Sequence, residues 1–211
     1  METAQLPDGI RDLPVVAGDL ALDFANTVDD PLGPARHDHI ADYQALLAWS
    51  LRVALLTEPE ADRLLHTAAP RRAAAVVRRA HSLREAINRT AGAVADTPAV
   101  STRPGPAGSL DGWLELRPFV RAAVDQADLV GLTPTWRFEL IDSPLWPVAH
   151  GAYELLTGPR AGRVKRCAGC PWLFLDQSKN GSRRWCSMEI CGTDEKVRLY
   201  VSRRAARRAR S

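Results

Sequence analysis

The residues of this chain best suited to chemistry are its four cysteines, and all of them lie in the last fifth. They read Cys167-Ala-Gly-Cys170, then fifteen intervening residues, then Cys186-Ser-Met-Glu-Ile-Cys191. Each short pair can present two thiolates from one turn. A segment that doubles back between the pairs would complete the tetrahedral donor set that zinc takes. Disulfides are the alternative, but nothing at Met1–Asp8 resembles a secretion signal, and no apolar run approaches membrane-spanning length. A cytoplasmic location is therefore expected, and a reducing compartment favours metal over disulfide. Four thiolates close the coordination shell, and no His-Glu pair adjoins them, so the expectation is one structural Zn(2+) held by Cys167, Cys170, Cys186 and Cys191. No nucleophile–base constellation, phosphate loop or open metal site is visible, so the chain does not read as an enzyme.

Charge points to a partner. The 211 residues carry a formal +3, but residues 160–211 amount to +10 and residues 1–159 to −7. An acidic body with a basic end suits contact with a polyanion through that end. The candidate nucleic-acid contacts are Arg183 and Arg184 between the cysteine pairs, and Lys196, Arg198, Arg203, Arg204, Arg207 and Arg208 in the terminal stretch. Arg203 with Arg207 and Arg204 with Arg208 are like charges at i,i+4. Each such pair disfavours an isolated helix by about 0.2–0.5 kcal/mol, and phosphate would relieve the repulsion.

Several elements must position these groups. Leu20, Leu22 and Phe24 alternate with Ala21, Asp23 and Ala25, the pattern of a half-buried strand. Beyond Asp38, Ile40, Tyr43, Leu47 and Leu51 share a helical face. Thr57 and Glu60 form a capping box, and Val76, Ala80, Leu83, Ile87, Ala91 and Val94 mark the clearest helix. A further helix is expected over 118–130, and a second strand over Trp136–Leu140. Another helix should open at Ser143-Pro144 and stop at Gly158. In the cysteine region, Trp172–Asp176 should pair with Arg183–Cys186 around Asn180-Gly181, with a helix after Cys191. The fold class is α+β: a mostly helical N-terminal domain with a small sheet over 1–157, and a treble-clef-like four-cysteine zinc module over 160–211. Asp23, Asn26 and Thr27, polar residues ending an apolar segment, are candidates for a ligand pocket, although capping and turn hydrogen bonds explain them as well.

Two stretches resemble known families. Cys167-Ala-Gly-Cys-Pro-Trp-Leu-Phe-Leu-Asp176, Ser178-Lys-Asn-Gly-Ser-Arg-Arg-Trp-Cys-Ser-Met188, Cys191-Gly192 and Lys196 resemble the CGNR zinc finger. Leu20-Ala-Leu-Asp-Phe-Ala-Asn-Thr-Val28, with His81–Ile87 and Leu145–Val148, resembles the ABATE domain usually found with it. The resemblance implies a bacterial stress-related transcription regulator. The chain departs from the family's Cys-Gly-Asn-Arg at Thr193 and Asp194. Two carboxylates, Asp194 and Glu195, suit a helix N-terminus but repel phosphate, so this member would grip DNA differently, more weakly or not at all. The first reading is thus a zinc-dependent DNA-binding regulator whose helical body senses a small-molecule effector or mediates homodimer formation. The alternatives are an RNA- or ribosome-associated zinc protein, with Trp172, Phe174 and Trp185 as stacking surfaces, and a protein-interaction module; none calls for a membrane.

Overall fold

The computed structural model of the chain describes residues 8–29, 36–96, 112–193 and 197. Among these, helices dominate and three two-stranded antiparallel sheets supply the β content. The chain enters through the single turn α1 (Asp8–Arg11) and then α2 (Leu20–Ala25), which is capped by the Asp19 carboxylate accepting from the Ala21 amide at 3.1 Å. The expected strand at this position is a helix. Ala21, Leu22, Phe24 and Ala25 are all buried, a spacing of one, two and one that fits a turn of helix and not a pleat. The two alanines belong to the buried face, so the alternation of large side chains was not the true period.

Strands β1 (Val28–Asp29) and β2 (His37–Asp38) pair next, followed by α3 (Tyr43–Arg52), whose cap is Asp42. The capping box of Thr57 and Glu60 opens α4 (Glu58–Thr67) as expected. Helix α5 (Pro70–Asp96) runs for 27 residues with Val76, Ala80, Leu83, Ile87 and Ala91 buried, and it is the spine of the molecule. It packs against α2, α3, α6 (Trp113–Asp125) and α7 (Leu145–Thr157). Helix α6 starts and ends earlier than 118–130. The chain from Asp128 instead forms β3 (Asp128–Val130) and β4 (Thr133–Thr135) around Gly131, whose φ of +62° suits a residue without Cβ. Trp136–Leu140 is not a strand; the Trp136 indole turns inward and donates to the Ala123 carbonyl at 2.8 Å. Helix α7 starts at Leu145 with Pro144 as its cap, and Gly158 closes it. The Ser143 hydroxyl donates to Leu140 O instead of capping.

The cysteine region is bound into this body. After the short 3-10 turn Ala161–Arg163, strand β5 (Val164–Arg166) pairs with β6 (Leu173–Leu175), so that Val164, Lys165 and Arg166 face Leu175, Phe174 and Leu173. The expected partner of β6, Arg183–Cys186, forms no strand. Gly181 does make a turn at φ +58°, but the Asp176 carboxylate accepts from the amides of Ser178 and Arg183 and diverts the chain. The β5–β6 pair lies on α5 and α2, and Phe174 and Leu173 are fully buried in the same core as Leu22 and Ala80. Asn26 fixes the junction: its Nδ2 donates to the Leu173 carbonyl at 2.8 Å and its Oδ1 accepts from the Leu173 amide at 3.0 Å.

Both Leu173 groups are buried with β6, so Asn26→Ala strands a donor and an acceptor. A loss of about 3 kcal/mol is expected, read as a lower urea midpoint with an unchanged slope.

Candidate metal centre

The first cysteine pair sits in the turn between β5 and β6. The Cys167 amide donates to the Trp172 carbonyl at 2.9 Å, which carries the ladder one step beyond the strands and closes the Cys167–Cys170 turn. Gly169 at its tip is required by crowding, because a Cβ there would stand 3.0 Å from the Cys191 Cβ. The second pair comes from an irregular segment. Ala168 N donates to Arg184 O at 2.9 Å and brings Cys186 alongside the turn. Cys191 lies in the wide helical turn Met188–Gly192, whose cap Ser187 accepts from Ile190 N at 3.3 Å.

The four Sγ atoms lie within 4.8 Å of one another. Cys170 and Cys186 stand 3.6 Å apart, as do Cys186 and Cys191. A disulfide needs about 2.0 Å, whereas the edges of a tetrahedron with 2.3 Å metal–sulfur bonds are about 3.8 Å. Two backbone amides, Gly169 N at 3.4 Å and Cys186 N at 3.3 Å, donate to the Cys167 sulfur. Hydrogen bonding from Cys186 brings the Cys170 thiol down to about 6. Cys186 and Cys191 resist ionisation: the hydrogen bond to Cys170 and then burial push Cys186 far up, and burial, with the Cys170 hydrogen bond, pushes Cys191 up to about 12. A cation among the sulfurs removes this conflict, and the donor set fits one.

The surrounding polar groups hold the loop in place. Burial alone would raise the pKa of Asp176, which is 1% exposed. The Lys165 ammonium at 2.6 Å and the Ser178 hydroxyl and amide hold its carboxyl well below the usual range. Arg183 is likewise built in. Its guanidinium donates to the carbonyls of Trp185, Cys186 and Val16 and lies 4.7 Å from the Phe174 ring centroid. Arg184, its neighbour, is exposed over the Trp185 ring. Lys196, Arg198, Arg203, Arg204, Arg207 and Arg208 fall outside the described residues. Trp172 and Phe174 are buried, and the Trp172 indole donates to the Val28 carbonyl at 3.2 Å, so neither offers a face for base stacking.

Asp23, Asn26 and Thr27 do not meet at one surface. Thr27 is buried and its hydroxyl donates to Phe24 O, Asn26 is engaged with Leu173, and Asp23 accepts from Ala17 N at 2.9 Å. The residues that sequence reasoning passed over are Arg84, 1% exposed and bidentate to Asp38 at 2.7 and 2.5 Å, and Lys165 with Asp176. Their only signal was a charge inside an otherwise apolar face, and such a charge needs a partner that sequence spacing does not reveal.

A helical body carrying a closed four-thiol knuckle defines a class in which a metal ion organises a small appended module and leaves no position for a reacting ligand. The ABATE family model, described as "Putative stress-induced transcription regulator", matches residues 18–159, and the CGNR zinc finger matches residues 163–204. The chain belongs to the ABATE family and carries a CGNR zinc finger. Comparison with curated proteins gives no significant match. No helix among the described residues is long and apolar enough to cross a membrane.

Asp23 yields a pH test. Burial pushes its pKa up to about 6, against the amides of Ala17 and Val16, which lower it. The unfolded value is about 3.9. Between about pH 4 and 6 the folded chain therefore holds a proton that the unfolded chain has lost, and stability falls as pH rises through that window. Asp23→Asn keeps an oxygen acceptor for Ala17. It is expected to flatten this decline, measured as urea midpoints across the window.

Proposed function

We propose that this protein is a cytoplasmic, zinc-stabilised regulator of transcription that binds duplex DNA through its C-terminal module. The unit boundaries would be 1–157 for the helical body and 160–211 for the finger. The observation that carries the reading is the closed cluster of four thiols, which anchors the start of a segment with fourteen Lys and Arg residues against four Asp and Glu over 160–211. The proposed ion is a single Zn(2+), because tetrahedral all-thiolate shells with no open position suit structural zinc. When bound, zinc would offset half of the charge of the four thiolates and staple the Cys167–Cys170 turn to Cys186 and Cys191. The family description supports a regulator rather than an enzyme.

Within the proposed interface, Arg184 is the described residue free to meet a phosphate, whereas Arg183 supports the loop that presents it. Lys196, Arg198, Arg203, Arg204, Arg207 and Arg208 would supply the remaining contacts. The helical body would sense a small effector or mediate self-association.

Two outcomes test this reading. Metal analysis should find one zinc per chain, and chelation should loosen the cysteine region, measured as faster amide exchange at Cys167–Leu175 than in the loaded protein. A fold and exchange pattern unchanged by chelation would refute a structural ion. In DNA titrations, Arg184→Ala should reduce the slope of log affinity against log salt by about 0.9, the share of one phosphate contact. Arg183→Ala should instead lower stability. A zinc-loaded protein with no affinity for genomic duplex at low salt would overturn the DNA reading, and selective binding of structured RNA would transfer the same surface to RNA.

A further inference from the structure

The β5–β6 ladder has two ends, and the cysteines occupy one of them. There the Cys167 amide meets the Trp172 carbonyl; at the other end the Asp176 amide donates to the Arg163 carbonyl at 2.8 Å. Beside that second end lies an open cavity of about 290 Å³. Arg160, Arg163 and Lys179 line it, against Asp176 as the one carboxylate among the described lining residues.

The three cations are exposed, so a ligand can reach them. Lys179 makes no hydrogen bond or ion pair among the described residues. Arg163 gives one bond from Nη1 to the Ser178 carbonyl at 2.9 Å, which fixes the guanidinium and leaves most of its N–H donors open. Arg160 pairs with Asp19 at 3.2 Å, yet its side chain is 53% exposed. The turn that carries Lys179 is itself held: the Ser178 carbonyl also accepts from the Gly181 amide, and the Ser178 hydroxyl accepts from the Ser182 amide at 3.0 Å. Asp176 does not cancel these charges. Its side chain is fully buried, and its oxygens accept from the Lys165 ammonium, the Ser178 hydroxyl and amide, and the Arg183 amide. An excess of reachable cations around a small cavity, with its acid already compensated, attracts an anion. Leu175 is the sole apolar residue of the described lining and is itself buried, so the cavity suits a compact polar group and not an organic body. A guanidinium fork beside an ammonium matches the oxygens of a phosphate.

We propose that this cavity binds a phosphate group, held by Arg163 and Lys179 with Arg160 at its edge. The phosphate comes either from a nucleic-acid backbone or from a free phosphate compound. In the first case the inference rests on the DNA-binding part of the proposed function and adds two residues that are not among the contacts assigned above. Arg184 is tied to the cysteine end of the ladder through Ala168, so the two contacts would stand at opposite ends of one ladder.

The test begins with the full-length, zinc-loaded protein without DNA, so DNA affinity does not enter its result. Inorganic phosphate is titrated at constant ionic strength, with sodium chloride as the control, while the Arg163 Nε–Hε and the Lys179 backbone amide are followed by nitrogen-15 NMR. Saturable shifts at both groups with phosphate and little response to chloride are expected, with about fivefold weaker phosphate binding in Lys179→Gln. Lys179 has no described partner, so Lys179→Gln spares the fold, and an unchanged melting transition checks this. Arg63→Gln removes the same charge from an exposed position on α4 and should leave phosphate binding unaltered. No saturable shift with phosphate, an equal response to chloride, or equal weakening in Arg63→Gln would each overturn the proposal. Salt titration with duplex DNA then separates the sources. A slope reduced by about 0.9 in Lys179→Gln assigns the phosphate to the nucleic-acid backbone, and an unchanged slope beside saturable phosphate binding assigns it to a free phosphate compound.

Discussion

Four sulfur atoms within 4.8 Å of one another cannot all carry charge unless a cation sits among them. The surroundings of the cysteines answer to that constraint. Gly169 has no side chain because the Cys191 methylene comes within contact of the turn, and two amides donate to the Cys167 sulfur. The segment that carries Cys186 has no ladder of its own. It is held instead by Arg183, by Asp176 and by one bond from Ala168 to Arg184. Such a loop buries little apolar area of its own, so an ion among the sulfurs would share the task of ordering it with the adjoining body.

The body's share is large because the two parts have one core. Strands β5 and β6 lie on α5 and α2, and Val164, Cys167, Leu173, Phe174 and Leu175 belong to the same cluster as the helical residues. The polar seam is equally specific. Asn26 meets both backbone groups of Leu173, Ala17 O accepts from Leu175 N at 2.8 Å, and Arg166 crosses α5 at Gly92 to reach Asp96 at 3.0 Å. A Cβ at residue 92 would stand 2.6 Å from that guanidinium, so the glycine is the crossing point. Any change in the short segment Ala25–Val28 therefore bears directly on the turn that positions Cys167 and Cys170.

Sequence reasoning was strongest where physics is local. Cysteine spacing announced the donor set, the capping box of Thr57 and Glu60 announced α4, and the apolar stripe of α5 announced the longest helix. It failed where a long-range partner decided the outcome. The alternation from Leu20 to Ala25 reads as a strand because alanine is ambiguous between faces, and the Asp19 cap with burial against α5 and α7 makes it a helix. The Asn-Gly step at 180–181 correctly signals a turn, yet β6 takes β5 as its partner, because Asp176 draws the following chain aside. Arg84 and Asp38 lie 46 residues apart, and no sequence period links them.

Charge arithmetic is also altered by the fold. Among the cations of 160–193, Arg160 pairs with Asp19, Arg166 with Asp96 and Lys165 with Asp176, while Arg163 donates to the Ser178 carbonyl and Arg183 to three others. A guanidinium paired with a carboxylate adds little to an external field, whereas one bound to backbone carbonyls keeps its charge but is held in place. The acidity of the body is thus partly a complement to the near end of the module. Among the described cations of this stretch, Arg184 and Lys179 make none of these ion pairs, and Arg184 lies over the Trp185 ring. If the described part of the module grips a polyanion, Arg184 and Lys179 are the side chains in position to do so.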